Sequence, residues 1–218
     1  IADLGVLADA TSGAADLEAR VTGDLSAPEV DATIRVATGA LLDQPVEDAS
    51  VRIAGAPVES GWQGTLTLSG TLAGQPLSGT ATALAGASGL TLPSIDLTIA
   101  ENRITGGLEQ TADGLFTGSL DIAAPDLATL AAVALVEASG ALNAKATLSA
   151  GNGRQDLAVR FGGDGIAVEG ITVGHLEGEA NVADLLGVPA ITGRADLGAI
   201  AVGSLVIDTA MLSASVVD

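Results

Sequence analysis

The residues able to do chemistry are few and poorly assembled. The only histidine, His175, stands in Val173-Gly174-His175-Leu176-Glu177, which reads as a junction between two strands. A single imidazole cannot complete a zinc site, and no serine or cysteine pattern accompanies it, so it reads as a solvent-facing or internally satisfied side chain. Gly162-Gly163-Asp164-Gly165-Ile166-Ala167-Val168 partly matches the calcium-binding nonapeptide of β-rolls. Ile166 and Ala167 replace the expected acid, and no second copy stacks on it, so a plain turn is the simpler reading. Gly151-Asn152-Gly153-Arg154 lacks the later glycine and the lysine of a phosphate loop. No Gly-x-Ser-x-Gly elbow occurs. Glu47-Asp48 and Glu177 with Glu179 are acid/base candidates by type, but both pairs read as a solvated strand face, Glu177 and Glu179 because residues two apart on a strand share its polar side. Without cysteine there is no thiolate ligand, nucleophile or disulfide. The expectation is a protein that is not an enzyme and uses no cofactor and no metal.

What must hold these residues is β structure. Alternation of apolar with charged or hydroxylic residues runs through Leu17–Thr22, Val30–Val36, Val51–Ile53, Trp62–Leu72, Ile95–Ile99 and Phe116–Ile122. It returns at Leu142–Leu148, Leu157–Phe161, Ile166–Val173, Leu176–Val182 and Leu205–Ile207. Threonine on the polar side suits a pleated surface. Ala112-Asp113-Gly114 and Gly151-Asn152-Gly153 signal hairpins, and the short connections favour antiparallel meanders. Roughly a dozen to fourteen strands are expected, too many for one flat sheet, so the sheet must twist, curl or fold over itself. Residues 126–137 break the pattern. Leu127, Leu130, Ala131 and Ala134 fall at helical spacing after Pro125-Asp126, predicting a helix of two to three turns that plugs or caps the apolar face. A loose repeat, glycine then leucine then proline then an aliphatic residue, spans Gly23–Ala32, Gly70–Gly79 and Leu186–Gly193. Its prolines lack a ladder donor and are expected at sheet edges.

Composition narrows the function. The chain of 218 residues is 48% hydrophobic but only 1% aromatic, with one Trp, two Phe and no Tyr. Rings normally supply much of a core's buried area, so this chain fills its interior with small aliphatics or leaves it partly unfilled. The net charge of −19, with no Lys/Arg cluster along the sequence, opposes nucleic acid and anionic membrane surfaces. The longest apolar run, Leu130–Val136, falls far short of the ~20 residues that span a bilayer. Beginning at Ile1 and stopping within a strand-like pattern, residues 1–218 are expected to be one elongated β segment cut from a larger protein.

The stretch Gly23-Asp24-Leu25-Ser26-Ala27-Pro28-Glu29-Val30-Asp31-Ala32, the unit from Pro125 to Leu130 with Ser139 to Leu142, and Val173 to Ala180 followed by Leu185 to Gly193 resemble the TamB family of translocation and assembly module subunits. That family belongs to the AsmA-like bridging proteins of Gram-negative envelopes. The resemblance implies a long curled antiparallel sheet, the β-taco, with an open apolar groove. It implies a parent protein anchored in the inner membrane and extending through the periplasm. Its partners would be phospholipid acyl chains passing toward the outer membrane and a TamA-like outer-membrane barrel in outer-membrane protein assembly and secretion. It supplies no catalytic residues. The membrane anchor and the Tyr-containing C-terminal region of the family are not matched in this sequence.

On this reading the groove is lined by Val21, Ile34, Val36, Val51, Ile53, Leu66, Leu68, Leu97, Ile99, Leu120, Ile122, Leu148, Val159 and Val168. Two other readings stand beside it. One is a structural β-stalk or surface-protein passenger whose apolar face is sealed as a closed core. The other is a template that pairs nascent barrel strands along exposed edges.

Overall fold

The computed structural model describes residues 11–24, 27–41, 44–59, 61–87, 89–133 and 136–215. All fourteen strands belong to one antiparallel sheet that runs in sequence order and does not close. The meander and strand number match the periodicity. The chain divides into two compact units, residues 1–100 and 101–218.

The first unit holds β1 (Thr11–Gly13), β2 (Asp16–Asp24), β3 (Ala27–Leu41), β4 (Gln44–Val58), β5 (Gly61–Leu72), β6 (Gln75–Gly86) and β7 (Gly89–Ile99). β1 and β2 lie end to end along the same side of β3, and the later strands follow by hairpins. At Ala73-Gly74 both residues have positive φ, 52° and 74°, the geometry of a two-residue hairpin whose twist matches its strands. Leu25 and Ser26 of the first repeat copy lie outside the described residues.

The second unit holds β8 (Asn102–Gln110), β9 (Phe116–Ala124), α1 (Leu127–Val133), β10 (Ala138–Gly151), β11 (Arg154–Val168), β12 (Ile171–Ala183), β13 (Ala190–Val202) and β14 (Leu205–Ala214). Ala112-Asp113-Gly114 and Asn152-Gly153 turn the chain as expected, the latter with φ of 54° and 71°. α1 is shorter than its periodic pattern. Residues 134 and 135 lie outside the described residues, and Val136 and Glu137 are not helical; the Val136 N–H donates to the Ala131 carbonyl at 2.9 Å, a closing turn after the last helical residue. Leu127 packs on a cluster of Ile166, Val173 and Ile200, so the helix does cover apolar sheet surface in this unit.

Four local expectations fail. Ile166–Val173 is not one strand, because Glu169-Gly170, with φ of 48° and 83°, turns the chain inside it. His175 is therefore within β12 and not at a junction. Gly162 to Gly165 is extended backbone inside β11 and not a plain turn, although Gly165 itself takes φ 61°. The repeat's prolines are not confined to edge strands. Pro28 and Pro76 are the second residues of β3 and β6, strands that are paired on both sides, where few rungs need the missing donor, and Pro189 stands just before β13. Pro93 lies inside β7, where the register against β6 shifts between Thr82 and Leu84.

A candidate apolar binding face

Ladder register decides which side chains share a face, because directly opposed residues in antiparallel strands point the same way. In the first unit one transverse row runs Leu17, Ile34, Val51, Leu68, Gly79, Leu97 across β2 to β7. The next runs Ala19, Ala32, Ile53, Leu66, Ala81, Ile95. Val21 faces Val30, Val36 faces Ala49, and Ile99 faces Leu77. Between these rows, on the opposite face, lies Glu18, Thr33, Arg52, Thr67, Thr80, Asp96. The nine residues expected to line an apolar surface in this unit thus share rows with other aliphatics.

The second unit repeats the arrangement. Ile104, Ile122, Ala144, Phe161, Gly178, Ala195 and Leu212 form one row, and Leu120, Ala146, Val159, Ala180 and Gly193 form another. Leu148 stands opposite Leu157, which faces Val182 and, through it, Ile191. Val168 packs against the cluster under α1. Alternation breaks between Val173, in that cluster, and Leu176, packed against it three residues on, at the level where Gly165 of β11 and Ala199 of β13, on either side of Gly174, have positive φ. The extra apolar row that results, Ile166, Val173 and Ile200, is the part that α1 covers.

Burial separates this face from an ordinary core. Of the fourteen expected lining residues, thirteen are half-buried and Val21 is 62% exposed; none is buried. Even the rings lie low. A Cβ at Gly55 or Gly64 would stand 2.1 Å from the Trp62 ring, and one at Gly178 would stand 2.6 Å from Phe161. Both rings therefore lie flat across glycines on the apolar face and do not rise to fill it, which gives the ring scarcity a structural form.

The polar face is knitted by cross-strand charges. Arg52 pairs with Asp31 at 2.7 Å and Arg35 with Glu18 at 3.3 Å in the first unit. In the second, Lys145 reaches Asp121 at 3.3 Å, and Glu179 sits between Arg194 at 3.4 Å and Arg160 at 4.0 Å. A concavity of about 1100 Å³ lies over this face, lined by Arg103, Lys145, Arg160 and Arg194 together with Asp121, Asp164, Glu177, Glu179 and Asp196. Half of the chain's eight cations thus meet in space, a gathering the linear sequence hides. Acids outnumber them in the lining, so the concavity has no net positive field. His175 Nδ1 lies 3.0 Å from Asp164 Oδ1, with 62% and 78% of those side chains exposed. Water therefore dominates the pair's surroundings. The two residues are equidistant from the Glu169-Gly170 turn, so recognising that turn would have paired them. No cluster of three or more metal-ligating side chains occurs among the described residues.

A buried amide was also hidden from the sequence. Gln155 accepts from the Phe116 N–H and donates to the Phe116 carbonyl, both at 2.8 Å, and donates to the Ser149 carbonyl at 3.0 Å. Its carboxamide stands in for a peptide group beyond Gly118, where the β9–β10 ladder stops. Comparison with family models, curated proteins and solved structures returns no match to this chain.

Proposed function

We propose that the apolar face holds hydrocarbon, and that the chain is a segment of a periplasm-spanning bridge protein carrying phospholipid acyl chains between inner and outer membrane in support of outer-membrane protein assembly. One observation carries the reading: aliphatic rows continuous across several strands are only partly buried. The side chains are small, the Trp62 and Phe161 rings lie flat, and among the described residues one short helix packs, through Leu127, on the Ile166, Val173 and Ile200 patch. A chain of about 16 carbons laid along such rows would gain on the order of 13 kcal/mol at ~0.8 kcal/mol per buried CH₂, before entropic costs. The periplasmic setting and the outer-membrane barrel partner rest on the TamB-like repeat alone.

Native mass spectrometry of the purified chain, with lipid extraction, tests the proposal. Phospholipid adducts are expected on the wild type and should be depleted in Ile34→Asp and Leu97→Asp, whose carboxylates fall on one apolar row. A lipid-free wild type, or undiminished lipid in both variants with the β circular-dichroism signal retained, would sink it.

A further inference from the structure

Over β9 to β14 the apolar face carries three adjoining rows that are covered unequally. Ile122, Ala144, Phe161, Gly178 and Ala195 form one, and Leu142, Gly163, Leu176, Leu197 and Ala210 form the next. Past the break in alternation stand Ile166, Val173, Ile200 and Ile207. Leu176, Leu197 and Ala210 pack against this last row, so hydrocarbon on the middle row reaches it without crossing polar surface. The aliphatic side chains of the first two rows are only partly buried. In the third, Ile166, Val173 and Ile200 are buried, and Leu127 of α1 packs on them.

α1 is a light cover. It has seven residues, below the ~12–15 at which an isolated helix persists in water, so it depends on docking to stay helical. Leu127, partly buried, is its contact with the patch, and its buried residues Thr129 and Ala131 are too small to add much apolar area. The Thr129 hydroxyl donates to the Asp126 carboxylate in the helix's own first turn, so that polar group is satisfied locally. The Asp126 N–H donates to Oδ1 of Asn102, itself 2% exposed, at 3.3 Å, which pins the start of the helix to β8. No residue of α1 is charged, so contact with hydrocarbon strands no charge.

We propose that α1 is a displaceable cover, an inference that rests on the reading of this face as a hydrocarbon site. Hydrocarbon spreading from the open rows replaces Leu127 on Ile166, Val173 and Ile200, and α1 lifts away about its pinned start. The exchange favours the lipid, because a run of methylenes covers the patch more fully than one leucine and joins it to the rows already occupied. A closed cover lowers the apparent affinity by the fraction of molecules in which it is open, so α1 sets how readily the face fills.

The chain contains no cysteine, so spin labels can be placed without background. Labels on Ala132→Cys, exposed on α1, and Ser204→Cys, in the β13–β14 turn, report their separation by pulsed electron resonance. Palmitoyl lysophosphatidylcholine below its critical micelle concentration is the probe, with bound lipid counted by native mass spectrometry. Bound lipid should add a population longer by a helix diameter, ~10 Å. Leu127→Ala should tighten lipid binding several-fold, with the strand signal in circular dichroism retained. Lipid bound with the separation unchanged, or binding unchanged or weakened by Leu127→Ala, would overturn the cover and leave the hydrocarbon reading in place. A chain that binds no lipid with or without Leu127→Ala would overturn both.

Discussion

Across the β3–β4 ladder, Arg52 donates from Nε to one oxygen of Asp31 at 3.0 Å and from Nη2 to the other at 2.7 Å. This two-pronged hydrogen bond, aided by the charges of Arg52 and Arg20, holds the Asp31 carboxyl below its ordinary range and raises the guanidinium in turn. A depressed folded-state value means that the pair's contribution is complete above the ordinary carboxylate range and is lost as pH falls through the lowered value. Both side chains face water, so the effect on stability is small. The titration itself is the sensitive readout. Carboxyl-carbon NMR should place the Asp31 midpoint below that of an unpaired aspartate and return it upward in Arg52→Gln. An unmoved midpoint in the variant would remove the hydrogen bond as the cause. Such pairs are invisible in one dimension, because Asp31 and Arg52 meet only once register is known, whereas the solvated reading of Glu177 needed strand parity alone.

Element boundaries were legible where turn chemistry was conventional. Asn152-Gly153 announces its hairpin, because both residues tolerate positive φ. Glu169-Gly170 does not, since Glu169 sits at φ 48°, which a glutamate seldom adopts, and the flanking aliphatics merge into one apparent strand. Glu169→Asn should therefore stabilise the protein by about 0.5–1 kcal/mol, seen as a rise in the urea midpoint with unchanged slope. An equal or lower midpoint would show that the turn is held by something other than its own backbone preference. The helix was found by spacing but overextended, because the apolar run through Val136 continues past the point where its backbone stays helical. Gln155 could not be found at all: a glutamine's worth depends on which carbonyls its strand end meets, and Phe116 is 39 residues away.

At the scale of the molecule, a sheet whose aliphatic rows are half-buried distributes its stability unevenly. Ile200, 8% exposed beneath α1, loses both transfer energy and packing when truncated, so Ile200→Ala should cost about 2–4 kcal/mol. Leu68, half-buried in its row, opens no enclosed cavity, so Leu68→Ala should cost only about 1 kcal/mol. The small side chains and the alternation made the apolar rows readable from sequence, whereas their degree of cover was not, since cover depends on what packs over a row and not on the row itself. The same uneven cover predicts a behaviour of the native state. An anilinonaphthalene sulfonate probe should fluoresce on the folded protein, and a fatty acid should displace it competitively. The probe is anionic and the chain carries −19, so the signal should strengthen with added salt as repulsion is screened. Leu68→Asp should weaken the signal more than Thr67→Asp on the opposite face, because only the former puts a carboxylate among the aliphatic rows. Equal losses from the two substitutions would trace the signal to general loosening of the fold, and a dark native protein would mean that the rows are sealed.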